Sequence, residues 1–229
     1  MSIQVLAHRG ASRAERENTV AAFRRAHEMG ADGVELDVRR CADDVLVVHH
    51  DPLLGDGRII RQTPHADLPT HIPTLSEALD ACHGMWVNLE IKNDPSEPDF
   101  DPSEWVAERT MALLDLRGES HRWLMSSFRI ETMDRCRALA PQIRTAWLVS
   151  IVPDDVIDTL TGRGHVALHP WVRLLTREVV DACHGAGIEV NTWTCDDPER
   201  MRELIEWGID GICTNVPDIA LAVRDEPSR

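Results

Sequence analysis

Short apolar runs rich in β-branched residues alternate along this chain with stretches in which apolar residues recur every three or four positions. The runs fall at residues 3–7, 33–38, 85–91, 122–125, 143–149, 165–168, 188–193 and 211–213. Each has the length and composition of a buried strand. Amphipathic segments lie between them: Val20, Phe23, Ala26 and His27 form one helical face, and Met201, Leu204 and Ile205 another. Thr74 with Glu77 three residues on has the pattern of a capping box, and Asp197-Pro198 places proline at a first helical position. Gly30, Gly185, Gly187 and Gly208 stand where helices should stop. Eight strand–helix units predict an α/β protein with parallel strands, closed as a TIM (β/α)8 barrel. An open, doubly wound sheet would normally carry a glycine-rich turn after its first strand, whereas this strand runs into His8-Arg9-Gly10.

A further apolar run at 45–48 follows the second strand directly, as an added strand or an extension of the second loop. Residues 51–73 are rich in Gly, Pro and Asp and lack a period, which predicts a loop insertion over the barrel mouth. Residues 93–102 form a second Pro/Asp-rich loop, and 224–229 are expected to fray. With no long-period repeat and no shift in composition, residues 1–229 are read as a single domain with an insertion at about 51–73.

No apolar run approaches the roughly 20 residues that cross a bilayer. Residues 1–6 lack the basic-then-apolar layout of a secretion signal and read as the first strand, so a cytoplasmic location is expected. Six cysteines are scattered singly, which predicts reduced, mostly buried thiols rather than a disulfide framework. A net charge of −15 argues against nucleic acid and against stable association with anionic membranes. The same charge would repel a phosphate ester, so a site for one must supply its own positive charge.

Active sites of such barrels lie at the C-terminal strand ends. Glu35 and Asp37 are two apart on one strand and share a face, as do Glu90 and Lys92 on another. Either the carboxylates are solvated charges on alternating strands, or Glu35, Asp37 and Glu90 converge as oxygen ligands. The second case suits a hard divalent cation, Mg2+ or Ca2+. Strands of a parallel barrel are buried on both faces, which weakens the first case. Arg9 and Lys92 can supply the positive charge for a phosphate, or pair with neighbouring acids such as Glu17. Asn18 or Thr19 would cap the first helix. His8 and His50 stand at strand ends as an acid/base pair, since only histidine titrates unaided near neutral pH. His49 should point away from His50, and His169 ends a strand as a mouth-lining residue. Trp193 and Phe128 fit either a substrate wall or plain packing.

These residues resemble the glycerophosphodiester phosphodiesterase family. His8-Arg9-Gly10, Glu17-Asn18-Thr19, Glu35-x-Asp37, His50-Asp51 and Glu90-Ile91-Lys92 occur in that family's order. So do Ser126-Ser127-Phe128, the stretch Val190 to Thr194, and the stretch Gly208 to Asn215. The resemblance implies a TIM barrel with a small insertion after the second strand. It also implies an enzyme that hydrolyses a small-molecule glycerophosphodiester to an alcohol and glycerol 3-phosphate with a divalent cation. By the same resemblance, Glu35, Asp37 and Glu90 would hold the metal, His8 and His50 would be catalytic, Arg9 and Lys92 would contact phosphate, and Trp193 would line the glycerol side. Direct attack by water and a cyclic phosphate formed by a glycerol hydroxyl are both consistent with it.

The chain departs from the family pattern at two places. The family often has Asp where Asn215 stands, and Val-Asn where Cys195-Asp196 stand. These changes are expected to alter the shape of the mouth and not the chemistry. The insertion is short for the family, and it should help wall the site. Three rival readings are a lysophospholipase D-like or sphingomyelinase D-like enzyme acting on a lipid phosphodiester, a non-catalytic phosphate-ester binding barrel, and a purely structural barrel. The acidic charge and the absence of a basic amphipathic helix argue against the first. Two histidines beside three acids argue against the other two.

Overall fold

The computed structural model describes residues 3–227. Its strands, in chain order, are β1 (Gln4–His8), β2 (Gly33–Arg40), β3 (Leu46–Val48), β4 (Trp86–Ile91), β5 (Trp123–Ser127), β6 (Arg144–Val149), β7 (Ala167–Pro170), β8 (Glu189–Thr192) and β9 (Gly211–Thr214). All but β3 pair in parallel, and β1 pairs with both β9 and β2, which closes an eight-stranded barrel. Helices α1 (Val20–Met29), α2 (Leu75–Ala81), α3 (Trp105–Arg117), α4 (Ile130–Leu139), α5 (Val156–Arg163), α6 (Arg177–Gly185), α7 (Pro198–Glu206) and α8 (Pro217–Arg224) alternate with the barrel strands. The TIM barrel expected from the chain is the fold observed. The apolar run at 45–48 is β3, an added strand antiparallel to β2.

Both faces of β2 are buried, as a parallel barrel requires. Val34, Leu36 and Val38 pack outward with Phe23, Ala26, Val87, Leu89 and Ile91 under the helices. The alternate row of Glu35, Asp37 and Arg39 is thereby left to the other face. Helix ends follow the expected chemistry. The Thr74–Glu77 capping box is formed, Asp197 caps α7 ahead of Pro198, and Gly30 closes α1 in the left-handed conformation. On α1 the buried face is Ala22, Phe23 and Ala26, while His27 is exposed.

The 51–73 segment is not a featureless loop. It forms two short 3-10 turns, Ile60–Gln62 and His65–Asp67, and buries Leu54, Ile60, Leu68 and Ile72 against Cys41 and Val47. The segment thus has a small core of its own, shared with the chain around β3. The expected fraying from residue 224 also needs correction. Arg224 ends α8 and pairs with Asp32 at 2.7 Å, and residues 228–229 lie outside the described residues. All six cysteines are buried and free. Among the described residues no helix is long and apolar enough to cross a membrane.

Candidate active site

Strand register brings the candidate residues into one corner. His8 on β1 stands beside Glu35 on β2, and Asp37 stands beside Glu90 on β4. Glu35, Asp37 and Glu90 are buried, with an oxygen of each within 4.8 Å of the others. Glu35 Oε1 and Asp37 Oδ1 are buried without a hydrogen-bond partner. Uncompensated buried carboxylate oxygens are costly, and a cation would satisfy them. The donor set is oxygen only and fits a hard divalent metal.

Electrostatics in this corner are uneven. Burial raises Glu35 well above the usual carboxylate range, and Asp37 and Glu90 add to the effect. Burial also raises Glu90, against the pull of Lys92. For Asp37 burial works in the same direction, but Lys92 and Arg9 outweigh it and hold the group at about 2. Lys92 Nζ donates to Glu90 Oε1 at 2.7 Å and lies 3.6 Å from Asp37 Oδ1. Arg9 adopts a left-handed backbone at φ 56°. Its N–H donates to Glu35 Oε2 at 2.9 Å, its guanidinium donates to Glu17 at 3.0 Å, and its Nε lies 3.5 Å from Asp37. Both cations are thus paired with neighbouring acids.

His8 Nδ1 lies 2.7 Å from Asn215 Oδ1, and its Nε2 lies 4.0 Å from Glu35 Oε2. Burial, with Arg9 nearby, pushes His8 down. His50 Nδ1 lies 2.7 Å from Asp51 Oδ1, and the side chain is about one-third exposed at 34%. A cavity of about 230 Å³ is lined by His8, Arg9, Glu35, His50, Glu90 and Lys92, with Trp193 and Phe128 on its wall. Those two rings meet edge to face at 5.4 Å, and the Trp193 indole N–H donates to His169 O at 2.8 Å. Of the eight residues expected at the site, all but Asp37 line the cavity itself; Asp37 sits behind them in the carboxylate cluster. His49 does not line it and bonds the carbonyl of Asp51. His169 does, held at about 3 by burial.

Three expectations change. Thr19 is the α1 cap, whereas Asn18 donates to Asp37 Oδ2 at 2.8 Å and so belongs to the carboxylate cluster. Among the described residues, none from 51–73 lines the cavity, because that segment packs on its own core. Asn215 does more than shape the mouth, since it touches His8 directly. Asn88 and Asn191 also line the cavity and were missed. The alternation that selects Glu90 and Trp193 selects the residues two before them, so the signal was present. A larger recess of about 450 Å³ opens among the strand starts at the other end of the barrel. Its arginines are already paired, Arg144 with Glu189 and Arg122 with Glu119.

Comparison with known proteins bears on this geometry. The sequence profile of the Glycerophosphoryl diester phosphodiesterase family matches residues 8–219. The chain belongs to this family. It is 30% identical to a glycerophosphodiester phosphodiesterase of Caldanaerobacter subterraneus over 95% of its own length and 96% of the relative's. An Oleispira antarctica phosphodiesterase, solved in complex with the product sn-glycerol-3-phosphate, superposes with a TM-score of 0.91 at 28% identity, covering 98% of both chains. A Thermotoga maritima glycerophosphodiester phosphodiesterase superposes at 0.85 with 26% identity over 97% of this chain and 99% of that one. The glycerophosphoryl diester phosphodiesterase family read from the five polar motifs is thus the family found, and the chain is an enzyme of that class.

Proposed function

We propose that this chain hydrolyses glycerophosphodiesters to an alcohol and glycerol 3-phosphate with the help of a divalent cation, Mg2+ or Ca2+, held by Glu35, Asp37 and Glu90. The observation that carries the reading is the meeting of three buried carboxylates with His8, His50, Arg9 and Lys92 in one corner. With all three acids ionised, the cluster exceeds its two cationic side chains by one negative charge, which repels a phosphodiester. A divalent cation reverses that excess, and it supplies Lewis-acid neutralisation of charge on the phosphoryl group. The product-bound state of the Oleispira relative supports a glycerol 3-phosphate product.

The chain's own residues divide the remaining work. Arg9 and Lys92 hold phosphoryl oxygens and share the charge that builds there. His8 and His50 move protons, one from the nucleophile and one to the departing alcohol. The Trp193 and Phe128 rings wall the glycerol side and keep water from it. No observation favours the lipid phosphodiesterase or binding-barrel readings over this one. The test is glycerol 3-phosphate release from glycerophosphocholine by metal-stripped protein before and after addition of Mg2+ or Ca2+. Release that appears only with metal and vanishes in Glu35→Ala is expected. Release untouched by metal removal would overturn the metal assignment, and no release with either metal from folded protein would overturn the substrate assignment.

A further inference from the structure

We infer that Asn215, clamped by Asp196, is the positioning residue that fixes the tautomer and orientation of His8. This rests on the reading of His8 as an acid/base group. Asn215 Nδ2 donates to Asp196 Oδ2 at 2.7 Å. Asp196 Oδ1 accepts from the Asn215 backbone N–H at 2.8 Å and from Thr214 Oγ1 at 2.9 Å. A carboxylate only accepts, so it admits the amide in one orientation, with the amino group toward it. The amide oxygen then faces the other way, where Ser12 Oγ donates to it at 2.9 Å and His8 Nδ1 lies 2.7 Å away. An amide oxygen cannot donate. Nδ1 of His8 must therefore carry the hydrogen, and Nε2 of the neutral ring keeps its lone pair. That nitrogen is the one on the side of Glu35, at 4.0 Å.

This chain has the amide at 215 and the acid at 196. Exchanging the two residues would keep one carboxylate and one amide facing each other and leave an acceptor on His8. Two carboxylates would repel across the same gap.

The test combines turnover on glycerophosphocholine with Mg2+ and long-range 1H–15N spectra of the full-length chain labelled at histidine. His8→Ala identifies the His8 signals. The wild-type ring is expected as a single Nδ1–H tautomer. Asn215→Ala should give a tautomer mixture and lower kcat by about 10- to 100-fold with KM little changed, the usual cost of losing an orienting partner. Asp196→Asn, which removes the clamp and not the contact, should fall between. The exchanged pair Asn215→Asp/Asp196→Asn should recover most of the turnover, whereas Asn215→Asp alone should not. Should Asn215→Ala not fold, Asp196→Asn and the exchanged pair decide. A wild-type Nε2–H tautomer overturns the inference. So does unchanged turnover and tautomer in Asn215→Ala while His8→Ala is inactive. Full turnover in His8→Ala would instead sink the acid/base reading of His8, whatever its tautomer.

Discussion

Glu35 and Asp37 stand two residues apart on the same face of β2, yet their surroundings push them in opposite directions. Burial and two neighbouring acids raise Glu35 well above its ordinary value of 4.5 in the metal-free protein, so its protonated form is favoured more in the folded chain than in the unfolded one. The folded state then binds more protons than the unfolded one, so Glu35 removes stability as pH rises above that value. Asp37 runs the other way. Its stabilisation is complete above 3.8 and is lost as pH falls towards about 2. In metal-stripped protein at neutral pH, Glu35→Gln should raise the melting temperature and Asp37→Asn should lower it. Removing the Asp37 charge leaves Arg9 and Lys92 less compensated, at a cost of about 3 kcal/mol or more. Mg2+ should raise the melting temperature of the wild type and not that of Glu35→Gln. Melts between about pH 4 and 8 check the pair, and shifts of the same sign in both variants would refute it.

His8 and His50 come from different strand ends and line one cavity. Loss of either should lower kcat on glycerophosphocholine by about 100- to 10,000-fold, the range of a lost general acid or base. Neither imidazole is part of the apolar core, so melting temperatures should stay within a few degrees. Near-normal turnover in both alanine variants would remove them from the mechanism.

The turn that presents His8 and Arg9 depends on Gly10. Its φ is +80°, and a Cβ there would lie 2.7 Å from the Ala22 backbone carbon and Cβ. Strain and overlap with backbone add, so Gly10→Ala should cost about 2–4 kcal/mol and depress turnover as well. Gly30 is the control. Its φ is +86°, but the nearest atom to a Cβ is 4.0 Å away, so Gly30→Ala should cost only about 1 kcal/mol. Equal denaturation midpoints for the two variants would contradict this account.

Much of this was legible in the chain because the barrel imposes simple periods. Each strand appears as an apolar run, and alternation by two places Glu35, Asp37 and Glu90 on one side. Asn88 and Asn191 could have been read from the same alternation, but the other missed residues depend on contacts between segments far apart. Asn215 meets His8 across 207 residues, and Asn18 meets Asp37 across 19. No local rule distinguishes those amides from loop or capping residues. The insertion misled for a related reason. Its apolar residues are too few and irregular to show a period, yet Leu54, Ile60, Leu68 and Ile72 suffice to pin it beside β2 once Cys41 and Val47 are brought to them.

Arg39 continues the row of Glu35 and Asp37 on β2, and its side chain is fully buried. It donates to the His50 carbonyl at 2.8 Å and to Glu97 and Asp99 at 2.8 and 2.7 Å. One guanidinium thus ties the segment carrying His50 to the loop after β4. Arg39→Met leaves both carboxylates and the His50 carbonyl without their donor and should cost about 3–5 kcal/mol, as broken buried ion pairs do. Arg39→Lys keeps the charge, but a compact ammonium cannot reproduce the planar fork that reaches all three acceptors. That variant should therefore recover part of the stability while turnover stays low, because His50 loses its anchor. Denaturation curves and glycerol 3-phosphate release, measured on both variants, separate the two effects. Wild-type turnover in Arg39→Lys would show that His50 holds its place without this contact.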